Sequence, residues 1–236
     1  MKMIGEKMIY RSDMVVDEVE VMGDDESIVR AMLVSTNKVP VEGDALQGRI
    51  NFLMENRHGT PFEHTSLTVR ASVPIFVARE WMRHRTLSYN EMSARYVKVP
   101  NTFYLMPHER PLVQQGKPGA YHFVEGSEIQ EEKARDEFLA AYRAAWDSYQ
   151  AMLDAGIARE VARSVLPVGT FTNFYVTGNV RAWLHFISLR VKDWRNAYET
   201  YPQYEIEQAA RQVEEIIDRR FPATMTAFNN FGRVAP

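Results

Sequence analysis

The stretch Ser66–Pro74, with the sequence SLTVRASVP, carries the pattern that decides the fold class. Its apolar residues stand at every second position from Leu67 to Val73, and this period of two predicts a strand with one buried face. The proline at its end suits the first turn of a helix, and Ile75–Arg83 is predicted to form that helix. A strand that leads directly into a helix favours a chain that mixes both kinds of element.

Helical patterns lie on both sides of this strand. Upstream, Asp25–Ser35 has an acidic first turn, and Gly43–Arg57 has apolar residues at helical spacing. Downstream, a capping box at Ser127–Gln130 opens a long helix that runs to about Asp154. The later predicted elements are a strand at Thr170–Thr177 and helices at Ala158–Leu166, Asn179–Val191, Tyr204–Arg220 and Pro222–Phe231. The sequence therefore predicts an α+β fold, a mixed sheet with flanking helices and a helical portion, as a single domain over residues 1–236.

Three segments are predicted to lie outside the helices. Thr86–Asn90 is interpreted as a loop, and Tyr96–Leu105 as extended chain interrupted by a Pro-Asn pair. Leu112–Gly126 is rich in glycine, proline and glutamine and is predicted to be a flexible surface excursion. Binding groups concentrate in loops held by rigid elements, so the loop after the helix at Ile75–Arg83 is the first place to look for function.

The composition restricts the class of protein. Hydrophobic residues make up 45% and charged residues 25% of the chain, which is typical of globular proteins. No apolar run approaches the roughly 20 residues that a membrane span requires, and the first residues lack the apolar stretch of a secretory signal. The net charge of −3 argues against binding along a nucleic-acid backbone. We therefore expect a cytoplasmic protein with no membrane or nucleic-acid partner.

The segment Trp81–Tyr96 is unusually rich in functional side chains. It contains three arginines, a histidine and a glutamate. The planar fork of arginine pairs well with phosphate and carboxylate groups. Apolar residues such as Leu87 are interleaved with the charges, so part of the segment must be buried, and buried arginines require anionic partners. Two interpretations follow: a pocket for a ligand with several negative charges, or a solvated basic face whose arginines pair with surface glutamates.

Within this segment, Arg83-His84-Arg85 is followed after seven residues by Ser93, a spacing similar to the Arg-His-Arg-(seven residues)-Ser motif of flavin-dependent thymidylate synthases. The resemblance extends in the same order from about Asp25 to Phe231. The other matching blocks are Thr60–His64, Pro74–Arg79, Asn90-Glu91, Ser93–Tyr96, Arg159–Arg163 with Leu166-Pro167, Asn179–Arg181 and Leu189-Arg190. The resemblance implies an enzyme that methylates dUMP to dTMP with FAD as cofactor, methylenetetrahydrofolate as carbon donor and NADPH as reductant. It also implies a homotetramer that holds FAD between its subunits.

The resemblance implies a set of FAD contacts. Arginines would offset the pyrophosphate charge, and Asn179 and Arg181 would stand at a helix N-terminus, which attracts anions. Arg181 and His185 are four residues apart and would share one helical face. For His185 the alternative is packing in the core. The implied FAD contacts are Ser35, Thr60, Arg83, His84, Arg85, Asn90, Glu91, Asn179, Arg181 and His185.

The resemblance also implies a dUMP site. Its residues are Glu80, Arg83, Glu91, Met92, Ser93, Ala94, Arg95, Arg163 and Arg190. Ser93 and Arg95 suit the phosphate. Arg190 is the implied catalytic residue, placed beside the pyrimidine to stabilise negative charge that develops on the uracil. The alternatives are a surface position for Arg163 and, for Arg190, an interaction with the dipole of its own helix.

Folate contacts are implied for His58 and Tyr96. For Tyr96 the equally open alternative is packing under the arginine-rich loop. His58 and His64 are the histidines that a metal site would use, but no carboxylate stands at the helical spacing of zinc ligands, so no metal is expected.

The chain has no cysteine, which excludes a thiolate nucleophile. The flavin-dependent type of thymidylate synthase needs no such nucleophile, because the cofactor carries the redox chemistry. Ser93 is interpreted as a phosphate ligand, since no histidine or carboxylate is placed by the sequence to activate it.

The match with the family has three departures. Glu80 stands where many relatives carry Gln, so its contact with a phosphate-bearing ligand is in doubt. His185 stands where some relatives have Asn, and both side chains can hydrogen-bond. Val191–Pro202 is longer than usual and directly follows Arg190, where it could alter access to the pyrimidine.

Two other functions would use the same residues. A non-catalytic nucleotide- or nucleic-acid-binding protein would hold phosphates with the arginines and stack bases on Tyr89, Tyr96 and Tyr104. A structural protein would use the charged loop as an interface between copies and bind no ligand. Uptake of FAD distinguishes both from the enzyme.

Overall fold

The structure, a computed structural model, describes residues 7–37, 45–117 and 120–236, and the chain divides into two compact units. Unit 1 comprises Met1–Asp13, Ser72–Glu80 and Glu91–Phe174, and unit 2 comprises Met14–Ala71, Trp81–Asn90 and Tyr175–Pro236. In the described part of the chain, no helix is long and apolar enough to cross a membrane.

Helices and strands alternate irregularly along the chain, as in an α+β fold. The helices of the described ranges are α1 (Asp25–Val34), α2 (Ala45–Glu55), α3 (Ile75–Trp81), α4 (Glu128–Asp154), α5 (Arg159–Ala162), α6 (Val180–Arg190), α7 (Tyr204–Arg220) and α8 (Pro222–Asn230), with 3-10 turns at Thr60–His64 and Arg163–Val165. The strands are β1 (Ile9–Arg11), β2 (Val15–Met22), β3 (Ser66–Pro74), β4 (Ser88–Glu91), β5 (Thr102–Tyr104), β6 (Val113–Lys117), β7 (Ala120–Val124) and β8 (Phe171–Gly178). The predicted fold class is confirmed.

Unit 1 is built around the long helix α4. The predicted capping box opens this helix: the Ser127 hydroxyl accepts the Gln130 N–H at 3.3 Å, and the Gln130 side chain accepts the Ser127 N–H at 2.9 Å. The buried face of α4 carries aromatic residues, and Tyr142 stacks on Phe103 of β5 with ring centroids 4.9 Å apart. β5 pairs in parallel with β1. Large aromatic rings thus dominate the hydrophobic cluster around α4.

Unit 2 contains most of a four-stranded sheet with the order β2-β3-β8-β4. The alternation predicted for β3 is confirmed, because Leu67 and Val69 are fully buried while Arg70 is exposed. Trp183 of α6 is also fully buried and donates its indole N–H to the Leu67 carbonyl at 3.1 Å. This bond anchors α6, the helix that carries several candidate site residues, to the sheet.

Several irregular segments differ from their predictions. The predicted loop at Thr86–Asn90 is wrong in its second half, because Ser88–Glu91 forms β4. The predicted excursion at Leu112–Gly126 is mostly exposed, as expected of a surface segment, but it contains the antiparallel hairpin β6-β7, which was not predicted. β4, β6 and β7 are short strands whose stability comes from pairing with a partner strand and not from a local sequence pattern. The predicted helix start at Gly43 lies outside the described residues.

Candidate functional site

In unit 1 the chain turns sharply around Ser93 after the end of β4. The Ser93 carbonyl accepts the backbone N–H of Tyr96 at 3.0 Å and of Val97 at 3.1 Å, and its hydroxyl accepts the Arg95 N–H at 3.3 Å. The extended chain was predicted to begin at Tyr96, but in the structure Tyr96 belongs to this turn. Met92–Ala94 are half-buried, while Arg95 and Tyr96 are exposed.

β8 holds the start of this turn through two residues. The Thr172 hydroxyl donates to the Glu91 carboxylate at 2.5 Å, and the Asn173 carbonyl accepts the Met92 N–H at 2.9 Å. Sequence reasoning placed both residues in a strand but gave them no role, because nothing in a strand pattern distinguishes a polar residue that positions a distant loop. Glu91, predicted to contact ligands, is thus fixed by Thr172.

The Arg95 guanidinium has a defined partner. Its Nε donates to the Glu160 carboxylate at 3.0 Å, and its charge lies 5.9 Å from the Tyr96 ring centroid. Glu160 lies on α5, next to Arg163, which is exposed at the start of the following 3-10 turn. Exposed ion pairs contribute little stability, so the effect of Glu160 is to orient Arg95. Glu160 lies within the matching block Arg159–Arg163, but nothing in the sequence indicates that it pairs with Arg95, 65 residues away.

The structure bears on the alternatives for two residues of unit 1. Tyr96 is 75% exposed, so the alternative that it packs under the loop is wrong. Arg163 is exposed, in agreement with the surface alternative, and a surface arginine can still bind a ligand. Glu80 is half-buried on α3.

Unit 2 contains a cavity of about 360 Å³ at the N-terminus of α6. Asn179 caps this helix, since its side-chain oxygen accepts the Ala182 N–H at 2.9 Å. Arg181 and His185 line the cavity together, which confirms that they share one helical face. His185 is exposed, so the alternative that it packs in the core is wrong. The lining residues are Glu63, Thr86, Asn179, Arg181, Ala182, His185, Ala235 and Pro236.

Two groups hold the Arg181 side chain in this cavity. Its Nε donates to the Pro236 carbonyl at 2.5 Å, and its Nη1 donates to the Glu63 carboxylate at 2.5 Å. Gly59 makes room for this arrangement, because a Cβ at that position would lie 2.4 Å from Arg181 Nε. Glu63 lies within the matching block Thr60–His64, but its pairing with Arg181 across 118 residues has no signal in the sequence.

A third arrangement in unit 2 joins His84 to Arg190. Arg190 is the last residue of α6, and its Nε lies 3.0 Å from His84 Nε2. The side chain of His84 is buried, with 5% of its surface exposed. Burial lowers the pKa of His84 to about 4, and the charges of Arg190 and His185 act in the same direction. The imidazole is therefore neutral at pH 7, and Nε2 accepts a hydrogen bond from the Arg190 Nε–H.

The other predicted residues of unit 2 are spread over its surface. The Ser35 hydroxyl donates to the Met32 carbonyl at 2.8 Å. The His58 ring lies edge-on to Phe52, with centroids 5.5 Å apart. The FAD contact of Ser35 and the folate contact of His58 stay predictions. Thr60, Arg83, Arg85 and Asn90 are likewise exposed and lie outside the lining of the cavity at α6.

The donor chemistry of the α6 cavity fits part of an anionic cofactor such as FAD. A helix N-terminus, the Asn179 amide and the Arg181 guanidinium converge there, and each favours phosphate oxygens. Glu63 offsets part of that positive charge and leaves His185 as an additional hydrogen-bonding group. Across the described ranges, no cluster of three or more histidine, aspartate or glutamate side chains is arranged to hold a metal ion.

These features define an α+β protein with an arginine held by a carboxylate in each of its units, Arg95 in unit 1 and Arg181 in unit 2. A family model described as thymidylate synthase complementing protein, Thy1, matches residues 17–223. The flavin-dependent thymidylate synthases of Streptomyces coelicolor and Streptomyces avermitilis are 45% and 44% identical to this chain, over 98% of its length and 96% of theirs. The enzyme of that name from Tropheryma whipplei is 43% identical over 97% of both chains.

A solved structure is equally similar. The UMP/dUMP methylase PolB from Streptomyces cacaoi, crystallised with 5-Br UMP, is 44% identical and superimposes with a TM-score of 0.93 over 98% of this chain and all of that chain. Its complex with 5-Br dUMP gives a TM-score of 0.92. The chain therefore belongs to the family of flavin-dependent thymidylate synthases, which are methyltransferases.

Proposed function

We propose that this protein converts dUMP to dTMP, with FAD as its resident cofactor, methylenetetrahydrofolate as carbon donor and NADPH as reductant. The observation that carries the proposal is the similarity to flavin-dependent thymidylate synthases along 98% of the chain. The arginine motif at residues 83–93 is intact within that match. When bound, FAD would take up electrons from NADPH and supply a hydride, and the folate would supply the methylene carbon.

The nucleotide is proposed to bind at the Ser93 turn. Its phosphate would be held by the Ser93 hydroxyl and the Arg95 guanidinium, which Glu160 already orients at 3.0 Å. A guanidinium fixed by one carboxylate loses less conformational entropy when it binds a second anion. The remaining residues proposed for dUMP are Glu80, Arg83, Glu91, Met92, Ala94, Arg163 and Arg190.

FAD is proposed to bind with part of its charged portion at the N-terminus of α6. Asn179, Arg181 and His185 line that cavity. The further FAD contacts proposed are Ser35, Thr60, Arg83, His84, Arg85, Asn90 and Glu91, and those proposed for folate are His58 and Tyr96. Reduced flavin supplies the hydride of the reaction.

Arg190 is proposed as the catalytic residue. Negative charge would develop on the uracil ring during the reaction, and a fixed guanidinium beside the ring would stabilise that charge. The bond from Arg190 Nε to His84 shows that this side chain is directed by the protein rather than left to the helix dipole alone. Ser93 needs no activating base in this scheme, because it binds phosphate and does not attack.

We further propose a homotetramer that holds FAD between subunits. Unit 1 exposes four aliphatic side chains within a short segment around α5, namely Ile157, Val161, Val165 and Val168. A second subunit packed against this segment would cover these side chains, and that is the reason to place the interface here. A cytoplasmic location and the lack of membrane and nucleic-acid partners stay predictions.

An absorbance spectrum with a product assay tests the proposal. We expect the purified protein to be yellow, to take up added FAD, and to form dTMP only when dUMP, methylenetetrahydrofolate and NADPH are all present. A parallel assay with UMP asks whether the ribonucleotide also reacts, since the PolB structures hold analogues of both. A colourless protein that takes up no added FAD would contradict the proposed function.

The role of Arg190 gives a second prediction. We expect Arg190→Ala to lower kcat for dTMP formation by roughly 100- to 1000-fold, as seen when a charge-stabilising donor is lost elsewhere. FAD uptake should be retained. Arg143→Ala, at an exposed position on α4, serves as the matched control and should keep the wild-type rate. Near wild-type kcat in Arg190→Ala would remove this residue from the mechanism.

A further inference from the structure

His84 lies in a rigid setting for a side chain in an arginine-rich loop. Its ring packs edge-on against Phe186 of α6, with centroids 4.8 Å apart, and Phe186 stacks on Trp81 at 4.9 Å. The Tyr89 hydroxyl lies 2.8 Å from the Trp81 carbonyl and 3.0 Å from the His84 carbonyl, so its single proton is shared between these two acceptors. Both the ring and the backbone of His84 are therefore fixed.

We propose that His84 is a positioning residue that sets the orientation of the Arg190 guanidinium. This inference rests on the proposed function, in which Arg190 stabilises charge on the uracil. The hydrogen bond of 3.0 Å engages Nε, the inner nitrogen of the guanidinium, so it fixes the plane of the whole group. A side chain at the end of a helix otherwise has many rotamers, and freezing them in advance lowers the cost of reaching the reactive geometry.

The interaction requires an unprotonated Nε2. An imidazolium would present a donor to a donor and place two positive charges 3.0 Å apart. Burial supplies the neutral state, because His84 is 5% exposed and desolvation disfavours its charged form. With Nε2 as acceptor, the single ring proton must lie on Nδ1. The geometry therefore specifies one tautomer as well as one orientation.

Two substitutions of matched polarity separate positioning from general packing. The carbonyl oxygen of Gln can occupy the place of His Nε2, whereas the shorter Asn side chain reaches only the place of Nδ1. We expect His84→Asn to lower kcat for dTMP formation roughly 10- to 100-fold with a smaller change in KM, the effect of a misaligned catalytic group. His84→Gln should stay within about fivefold of the wild-type rate. Equal losses in the two variants would overturn the proposal.

A double-mutant cycle tests whether the effect passes through Arg190. The variant Arg190→Lys keeps the positive charge of the side chain but has no Nε–H to donate to the imidazole. If His84 acts by positioning Arg190, His84→Asn should cost little further rate in the Arg190→Lys background. Full additivity of the two losses would contradict a positioning role. His122→Asn, at an exposed position on β7 in unit 1, is the control and should not change the rate.

A measurement without turnover separates this inference from the proposed function. Nitrogen NMR of the ¹⁵N-histidine-labelled protein, with His84→Gln used to assign the signal, should show a neutral His84 with its proton on Nδ1 at pH 7. A proton on Nε2, or a charged ring, would overturn the inference whatever the enzyme assay shows. If the wild-type protein forms no dTMP, the proposed function fails while the NMR result still decides the role of the hydrogen bond.

Discussion

Two of the histidines of unit 2, His84 and His185, lie in opposite environments. His84 is buried and neutral, whereas His185 is exposed on the cavity wall, with ring centroids 6.1 Å apart. Both were implied as FAD contacts by the family resemblance alone. The environment, rather than the residue type, decides what each imidazole can do, because burial removes the charged state and leaves a hydrogen-bond acceptor.

The buried state of His84 predicts a pH dependence of stability. Its pKa in the folded protein, about 4, is below the ordinary value of 6.5. Between these two values the unfolded chain binds a proton that the folded protein does not, so stability falls as pH decreases from about 6.5 to 4. The free energy involved approaches roughly 3 kcal/mol, since each tenfold change in proton affinity is about 1.4 kcal/mol.

Denaturant unfolding between pH 4 and pH 8 checks this prediction. His84→Gln cannot titrate in this range, so its free energy of unfolding should fall less steeply below about pH 6.5 than that of the wild-type protein. The comparison uses the slopes rather than the absolute stabilities, because the substitution also changes packing. Parallel curves for the two proteins would show that His84 titrates normally.

At the scale of elements, one carboxylate of α1 stabilises the start of a different helix. Acidic residues in the first turn of α1 were expected to interact with the dipole of that helix. Asp24, which directly precedes that turn and was not part of the prediction, is the N-cap, with its oxygen accepting the Ser27 N–H at 2.8 Å. Asp25 instead is buried and accepts the backbone N–H groups of Ala223 at 2.8 Å and Thr224 at 3.0 Å, at the N-terminus of α8. Asp25 thus links the two helices.

Paired alanine variants test this difference. Asp24→Ala should lower the free energy of unfolding by about 1 kcal/mol, the usual effect of losing an exposed N-cap. Asp25→Ala should cost roughly 2–4 kcal/mol, because it leaves buried donors of α8 without an acceptor. Chemical denaturation of both variants gives the comparison. Equal losses of unfolding free energy in the two variants would mean that the hydrogen bonds of Asp25 with α8 contribute no stability beyond that of a carboxylate at the start of α1.

Elements with strong local signals were predictable, and pairings over long distances were not. The bounds of α7 and the caps of α4 and α6 follow from periodicity and from Ser127 and Asn179, which act on their own neighbours. β4 and the β6-β7 hairpin lack such patterns and depend on partner strands. The same limit applies to the candidate site: the arginine motif is local, whereas Glu160 and Thr172 meet it only in the folded chain.

The predicted long segment after Arg190 has a structural anchor. Asn196 accepts a hydrogen bond from the Arg233 Nε at 3.0 Å, and Ala197 donates its N–H to the Gly232 carbonyl at 2.9 Å. Arg233 is 1% exposed, so its side chain is fixed. The segment is therefore tied to residues near the end of the described chain, even though Trp194 within it is 91% exposed. The conformation of this segment is therefore stabilised by contacts within unit 2.

At the scale of the whole molecule, the exposed aliphatic segment around α5 bears on assembly. Val161 is 56% exposed there, on the same short helix as Glu160. Exposure of an aliphatic side chain to water is unfavourable, and its burial beneath a second subunit would stabilise the assembly. The proposed tetramer, with a mass four times the chain mass of 27.3 kDa, offers such a cover.

We therefore expect Val161→Glu to weaken the tetramer, because a carboxylate without a partner is unfavourable in an apolar interface. Light scattering coupled to size-exclusion chromatography should show smaller species, and FAD retention should fall with them if the cofactor lies between subunits. Ile129→Glu is the control: this residue is 78% exposed at the start of α4, away from the aliphatic segment in sequence, and its replacement should leave the mass unchanged. A wild-type protein that elutes as a monomer yet retains FAD would disprove the proposed placement of the cofactor between subunits, while an intact Val161→Glu tetramer would move the interface to another surface.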